Sequence, residues 1–505
     1  MKSNYAERIA KGSFIIFTMS LVSAFIGYSL RLFLSRSLSV EEFGLFYSVL
    51  IFLSAFSVFK DFGLGSALVK YISSFMVKRD FLRIKASILY VAITHFIAGF
   101  VVFIILLVFS DYIIANFFQN PLAAPVFWVL LIEFLFTTSF FGNTFQGFQK
   151  MKFLSLVEFL RVSIVFVLVI FLIKLGVVGV AYSYLGSTIA VQFIFFYLLL
   201  RTFPKFLKER FVLSRVLYSR LWKFGLSLFI GSFSGMIISY SSTILITFFS
   251  SLEEVGYFQI ALPTSQLLWV FPISIAAILF PTVSEMWTRG QKSSISRSIE
   301  LLIKFSFIFI IPGSLILMSF PEIIIRLLPG ESYMPAAFML QILSVSAITF
   351  TLYSISSHLI IGIGKPLLNS KILYVVAVFN VAMNILLIPV LGGVGAAITT
   401  VLSYFIGFVL SVYFVRCYVS LSVPWGPLFK TLLGGFSSLV IIFTVKGMLA
   451  IDPIIEAVIS LTLAFAFYFL SISLSKIVTK SDVMVLRDAK VPKFIINILV
   501  KVLRK

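Results

Sequence analysis

Long stretches without a charged side chain run through this sequence, and they decide its class. Residues 86–110, 175–200 and 372–415 contain no Asp, Glu, Lys or Arg. A run of about 20 apolar residues lets a helix cross a hydrocarbon core, where only helices and closed barrels satisfy their backbone. A barrel would show short alternating strands instead of such blocks. The chain is 60% hydrophobic and 12% charged, with 60 Phe, where a soluble domain has about a quarter of its residues charged. The expected fold is an all-α polytopic membrane protein.

The net charge of +21 lies between the apolar runs. Orientation and anionic headgroups therefore explain it before nucleic acid does. The single cysteine, Cys417, excludes an internal disulfide. His95 and His358 lie far apart in apolar runs and read as satisfied intramembrane histidines rather than metal ligands. Lys2, Arg8 and Lys11 precede an apolar run without a small-residue cleavage site, which reads as a first span and not a signal peptide.

Fourteen spans are predicted. Six lie in an N-terminal lobe, 1–200: 12–36, 42–70, 84–109, 123–143, 153–173 and 177–200. A basic connector, 201–223, follows. A second lobe, 224–416, holds 224–249, 254–284, 298–320, 335–361, 367–390 and 393–415. Residues 417–480 hold two further spans, 426–447 and 452–475, and 481–505 is a basic tail that reads as an amphipathic helix on the inner leaflet. With cytoplasmic termini, 33 of the 40 Lys and Arg fall on the cytoplasmic side, the positive-inside pattern.

The two lobes repeat one another. Ser39-Val40-Glu41-Glu42-Phe43-Gly44 answers Ser251-Leu252-Glu253-Glu254-Val255-Gly256. Both satisfy S-x-x-E, the signature of a capping box at a helix start. Gly147-Phe148-Gln149-Lys150 answers Gly362-Ile363-Gly364-Lys365, and Leu175-Gly176-Val177-Val178-Gly179 answers Leu391-Gly392-Gly393-Val394-Gly395. The order is kept at offsets of 212, 215 and 216. Six spans per lobe make the repeats parallel. The second span of each lobe is overlong, with Gly63 and Gly65 in one and Pro263, Pro272 and Pro281 in the other available as breaks. Such a break must face protein or a wet cavity.

No loop has room for a catalytic domain, and no nucleotide, zinc or nucleophile-elbow motif occurs, so no enzyme and no cofactor is expected. Charges inside apolar spans are costly and mark candidate sites: Arg31, Lys60 with Asp61, Glu133, Glu158 with Arg161, and Lys304. Glu158 and Arg161, one helical turn apart, can form their own ion pair. Lys60 and Asp61 are adjacent, so one is expected to snorkel and the other to face inward. Arg31 has no Asp or Glu within residues 27–35; it suits a phosphate, or else snorkels to the outer surface. Ser239, Ser241, Ser242 and Thr243 give the second lobe a polar run, and Thr399 adjoins Thr400. Asn380, Asn384 and Thr400 can line a cation site for Na+ or H+ coupling or hydrogen-bond between helices.

The strings R-L-F-L-S-R-S-L-S-V-E-E-F-G-L-F (31–46), D-F-G-L-G-S-A-L-V-K-Y-I (61–72), Q-G-F-Q-K (146–150) and P-T-V-S-E (281–285) together resemble the polysaccharide-biosynthesis branch of the MOP superfamily, the Wzx-type flippases. The resemblance implies MATE-like lobes and alternating access. It implies a substrate of undecaprenyl- or dolichyl-phosphate-linked glycan, carried across the cytoplasmic membrane and held in a cationic cavity. By position Arg31 matches the arginine of the first-span signature. Membrane lipids, and glycosyltransferases or other polysaccharide-assembly proteins, are the partners it implies. Two alternatives stand beside it. A MATE-type drug or cation antiporter shares the fold but is expected to carry acidic cavity residues, where the first span here has arginine and no acid. A membrane glycan ligase or polymerase would need a large outer loop.

Overall fold

A computed structural model of the chain describes residues 2–210, 214–419, 424–448, 452–475 and 477. The expected amphipathic tail, 481–505, lies outside them. Among the described residues there are helices and no strand. They run α1 (Lys2–Ser37), α2 (Val40–Ala55), α3 (Val58–Asp61), α4 (Leu64–Val77), α5 (Phe81–Val108), α6 (Ser110–Ile113) and α7 (Ala123–Phe136). Next come α8 (Phe140–Gly147), α9 (Met151–Leu172), α10 (Gly176–Thr202), α11 (Lys205–Lys208), α12 (Arg215–Phe249) and α13 (Leu252–Gln266). The rest are α14 (Val270–Thr288), α15 (Lys292–Ser319), α16 (Pro321–Leu327), α17 (Ala336–Gly362), α18 (Pro366–Leu391), α19 (Gly393–Arg416), α20 (Trp425–Met448) and α21 (Pro453–Leu474).

Twelve stretches among the described residues are long and apolar enough to span a membrane. One of them, Met151–Thr202, contains two helices, α9 and α10, separated by a 3-10 turn. The predicted span 254–284 coincides with α13 and α14 and is not among the twelve. The membrane class and helical fold are as expected.

The overlong second span breaks near its glycines. Phe62 and Gly63 are both left-handed, at φ 46° and 74°, and they separate α3 from α4. A Cβ on Gly63 would stand 2.3 Å from the Gly225 carbonyl oxygen, so backbone approach as well as φ requires glycine there. In the second lobe a 3-10 turn, Leu267–Trp269, falls between Pro263 and Pro272.

The repeat is written in the turns. Gln149, at φ 57°, closes α8: its N–H donates to Gln146 O at 3.0 Å, and Lys150 N to Phe145 O at 2.8 Å. Gly364, at φ 81°, closes α17 in the same way, through Gly364 N to Ile361 O and Lys365 N to Ile360 O. This paired pattern is the Schellman motif. Arg79 and Gly290 close α4 and α14 likewise.

The chain divides into two compact units: Met1–Gln259 with Asn384–Gly393, and Ile260–Met383 with Val394–Lys505. In the first, α4, α5, α8, α10 and α12 bury a core that includes Ile72, Phe145, Phe195, Leu198 and Leu221. Here too the two S-x-E-E-x-G turns meet. A Cβ on Gly44 would lie 1.8 Å from Leu252 O, and one on Gly256 would lie 2.7 Å from Val40 O. Both pairs exchange under the same 212-residue offset, so the contact has local two-fold symmetry. In the second unit Trp269 stacks on Phe350 and Tyr404 meets both rings edge-on, and Tyr468 of α21 donates to Phe307 O and Ile308 O of α15.

Candidate functional site

Arg31 lies on α1 beside the symmetric contact. Its Nη1 donates to Gln259 O at 2.5 Å and to Gln259 Oε1 at 3.1 Å. Its guanidinium sits 4.0 Å above the Tyr47 ring. The offset of 212 pairs Arg31 with Thr243 and Tyr47 with Gln259, and Gln259 Nε2 donates to Thr243 Oγ1 at 2.7 Å. The same position therefore carries a cation in the first repeat and a hydroxyl in the second. Arg31 is half-buried and forms no ion pair among the described residues. Only Nη1 is committed there, which leaves Nε and Nη2, the edge that grips an oxyanion at two points.

The Tyr47 side chain links Arg31 to a second charge cluster. Tyr184 lies in electrostatic reach of Tyr47, Arg31 and Arg161. Arg161 forms the expected pair on α9, with Nη2 to Glu158 Oε1 at 2.7 Å and Nε to Glu158 Oε2 at 3.0 Å. Glu133 on α7 accepts from Thr188 Oγ1 at 2.7 Å and Thr137 Oγ1 at 2.5 Å.

Lys60 and Asp61 depart from expectation, because neither snorkels. Lys60 is 2% exposed. Its Nζ donates to Phe134 O and, at 2.7 Å, to Thr137 O, and it lies 4.2 Å above the Phe134 ring. These carbonyls form the C-terminal end of α7, where the helix dipole favours a cation. Asp61 Oδ1 accepts from Gly65 N at 3.1 Å and Ser139 Oγ at 3.3 Å. Both residues line one cavity of about 500 Å3, walled by Ser57 at the α2–α3 break, α3, the α7–α8 break and α12. The irregular backbone thus faces a cavity, as the cost of bare peptide groups in lipid demands.

The second-lobe polar candidates each have their own hydrogen-bond partner. Asn380 Nδ2 donates to Ser403 Oγ at 2.9 Å, Asn384 Nδ2 to Ser242 Oγ at 3.1 Å, and Thr400 Oγ1 to Ala396 O at 2.8 Å. These are hydrogen bonds of helix packing and of a helix to itself. His358 Nδ1 is 2.8 Å from Ser354 O, and His95 lines the cavity beside Lys60. No group of three His, Cys, Asp or Glu able to hold a metal occurs among the described residues. The sequence reading missed Tyr47, Tyr184 and Gln259. The repeat offset, which aligns Tyr47 with Gln259, was the signal that could have found two of them.

Residues 9–287 match the family described as polysaccharide biosynthesis protein. An uncharacterized membrane protein of Methanocaldococcus jannaschii is 32% identical over 420 residues, which is 79% of this chain and 82% of that one. A probable low-salt glycan biosynthesis flippase of Haloferax volcanii is 22% identical over 239 residues, 47% of this chain and 51% of its own. Among solved structures, lipid II flippase MurJ in an inward closed conformation matches with a TM-score of 0.75. It is 15% identical, over 91% of this chain and 98% of that chain, a likeness of fold.

Proposed function

Because the chain belongs to the family of polysaccharide biosynthesis proteins, the branch its motifs resemble, we propose that it is a flippase. It carries a polyprenyl-(di)phosphate-linked glycan unit across the cytoplasmic membrane, and its termini are cytoplasmic. The observation that carries this reading is Arg31: an intramembrane guanidinium, fixed by Gln259 and Tyr47 through one nitrogen and one face, with its forked edge unspent. Tyr47, Tyr184 and Arg161 extend the same locus. The phosphate arrives as the counterion the span lacks. The two repeats move against each other in alternating access, and no bond of the substrate is made or broken. An Na+ or H+ gradient drives the cycle. No ion site is assigned, since Asn380, Asn384 and Thr400 are engaged in packing.

The test is restoration of surface glycan in a flippase-deficient host, with membrane abundance measured alongside. Arg31→Lys keeps the charge and loses the fork, so it should retain part of the activity. Arg31→Ala should lose most and Arg31→Glu all of it. Full restoration by Arg31→Ala at normal abundance would refute the phosphate assignment.

A further inference from the structure

The cavity beside Lys60 lies in the first unit and is lined mainly by hydrogen-bonding side chains. Its two charges are partly engaged. The Lys60 ammonium is turned onto the Phe134 and Thr137 carbonyls, and Asp61 is an acceptor for Gly65 and Ser139. No arginine lines it. An anionic ligand would therefore meet acceptor against acceptor at Asp61 and find no unspent guanidinium. Beside the Asp61 carboxylate, the groups that remain open are neutral. Ser57, Ser66, Asn143 and Tyr240 line the space, and their side chains have no hydrogen-bond partner among the described residues. Each hydroxyl can both donate and accept, and the Asn143 amide offers two donors and an acceptor. That is the complement of a polyol, whose hydroxyls do the same. The volume of about 500 Å3 lies within the range of small-molecule sites. Gly65 lets Asn143 pack closely against α4, because a Cβ there would stand 2.0 Å from Asn143 Nδ2.

We propose that this cavity binds an uncharged sugar of the transported glycan and discriminates against acidic sugars, while the phosphate is held separately at Arg31. The inference rests on the flippase reading and deepens it. Asp61 is the specificity-determining residue: it accepts a sugar hydroxyl and repels a carboxylate. Ser66, Asn143 and Tyr240 supply the remaining hydrogen bonds.

The test uses the purified full chain with Ser232→Cys, a lining position with no assigned hydrogen bond to the sugar, in a Cys417→Ser background, and reads the rate at which a neutral maleimide modifies the new thiol. Maltotriose should slow modification severalfold, whereas trigalacturonic acid and inorganic pyrophosphate should leave the rate unchanged. Adding Asp61→Asn should let trigalacturonic acid protect as well. Adding Arg31→Ala should not alter protection by maltotriose, which separates this site from the phosphate site. Failure of maltotriose to protect, or equal protection by the acidic trimer with Asp61 intact, overturns the proposal. Either result would leave the Arg31 assignment standing on its own transport test. Conversely, full transport by Arg31→Ala would sink that assignment without touching the sugar site.

Discussion

Arg31 illustrates how a single side chain can be anchored and still have binding capacity. Its stacking on Tyr47 is a cation–π contact worth about 0.5–2 kcal/mol. Tyr47→Phe keeps the ring, so glycan restoration should stay near wild type. Tyr47→Leu removes the ring and should lower apparent substrate affinity by about 2- to 30-fold, the same energy expressed as a ratio. Equal loss in both variants would shift the role from the ring to the hydroxyl. The intramembrane charges were legible because each is expensive in lipid. Their partners were not. Lys60 is satisfied by carbonyls 74 and 77 residues away, and Arg31 by Gln259, 228 residues away. Sequence spacing carries no information on such pairs, which is why both Lys60 and Asp61 find partners inside the protein where one of the two was expected to snorkel.

Among the elements, the paired helix starts show what a local motif predicts and where it stops. At α2 the capping box is complete: Glu42 N donates to Ser39 Oγ at 3.1 Å and Ser39 N to Glu42 Oε2 at 3.0 Å. Ser39→Ala combined with Glu42→Ala should cost about 1–2 kcal/mol, while Glu42→Gln should be mild; thermal melting of the purified protein measures both. Loss of transport in Glu42→Gln at unchanged melting temperature would assign that carboxylate to substrate instead. At α13 the first half holds, with Glu254 N donating to Ser251 Oγ at 3.2 Å. The Glu254 carboxylate, however, accepts from Gly393 N at 2.8 Å, a partner 139 residues on that no capping rule anticipates. The glycines of the motif have a reason the sequence could not supply, since Gly44 and Gly256 each touch the other helix's first turn. Gly44→Val should destabilise by about 1–3 kcal/mol through overpacking. A melting temperature unchanged by Gly44→Val would show that the two turns part easily.

Across the whole molecule, charge sets orientation. The split of 33 basic residues against 7 predicts that the connector is cytoplasmic. In a Cys417→Ser background, Ser219→Cys in intact cells should resist an impermeant maleimide, and Asn116→Cys should react. The reverse pattern would invert the topology and remove the basis for parallel repeats. Fold class was readable because hydropathy dictates it. The repeat was readable because three turns preserve their order. That Asn384–Gly393 packs with residues far earlier in the chain was not, because sequence spacing carries no information on such contacts. The central claim, that this chain moves a lipid-linked glycan through a site built on Arg31, meets its most direct test in reconstituted vesicles. Polyprenyl-diphosphate-linked oligosaccharide is placed in both leaflets, and an impermeant glycosidase digests what reaches the outside. With the wild-type chain, digestion should proceed past the outer-leaflet share toward completion, whereas with Arg31→Ala it should stop where protein-free vesicles stop. Digestion by wild type that halts at the outer-leaflet share, or Arg31→Ala vesicles that digest as completely as wild type, would contradict the account.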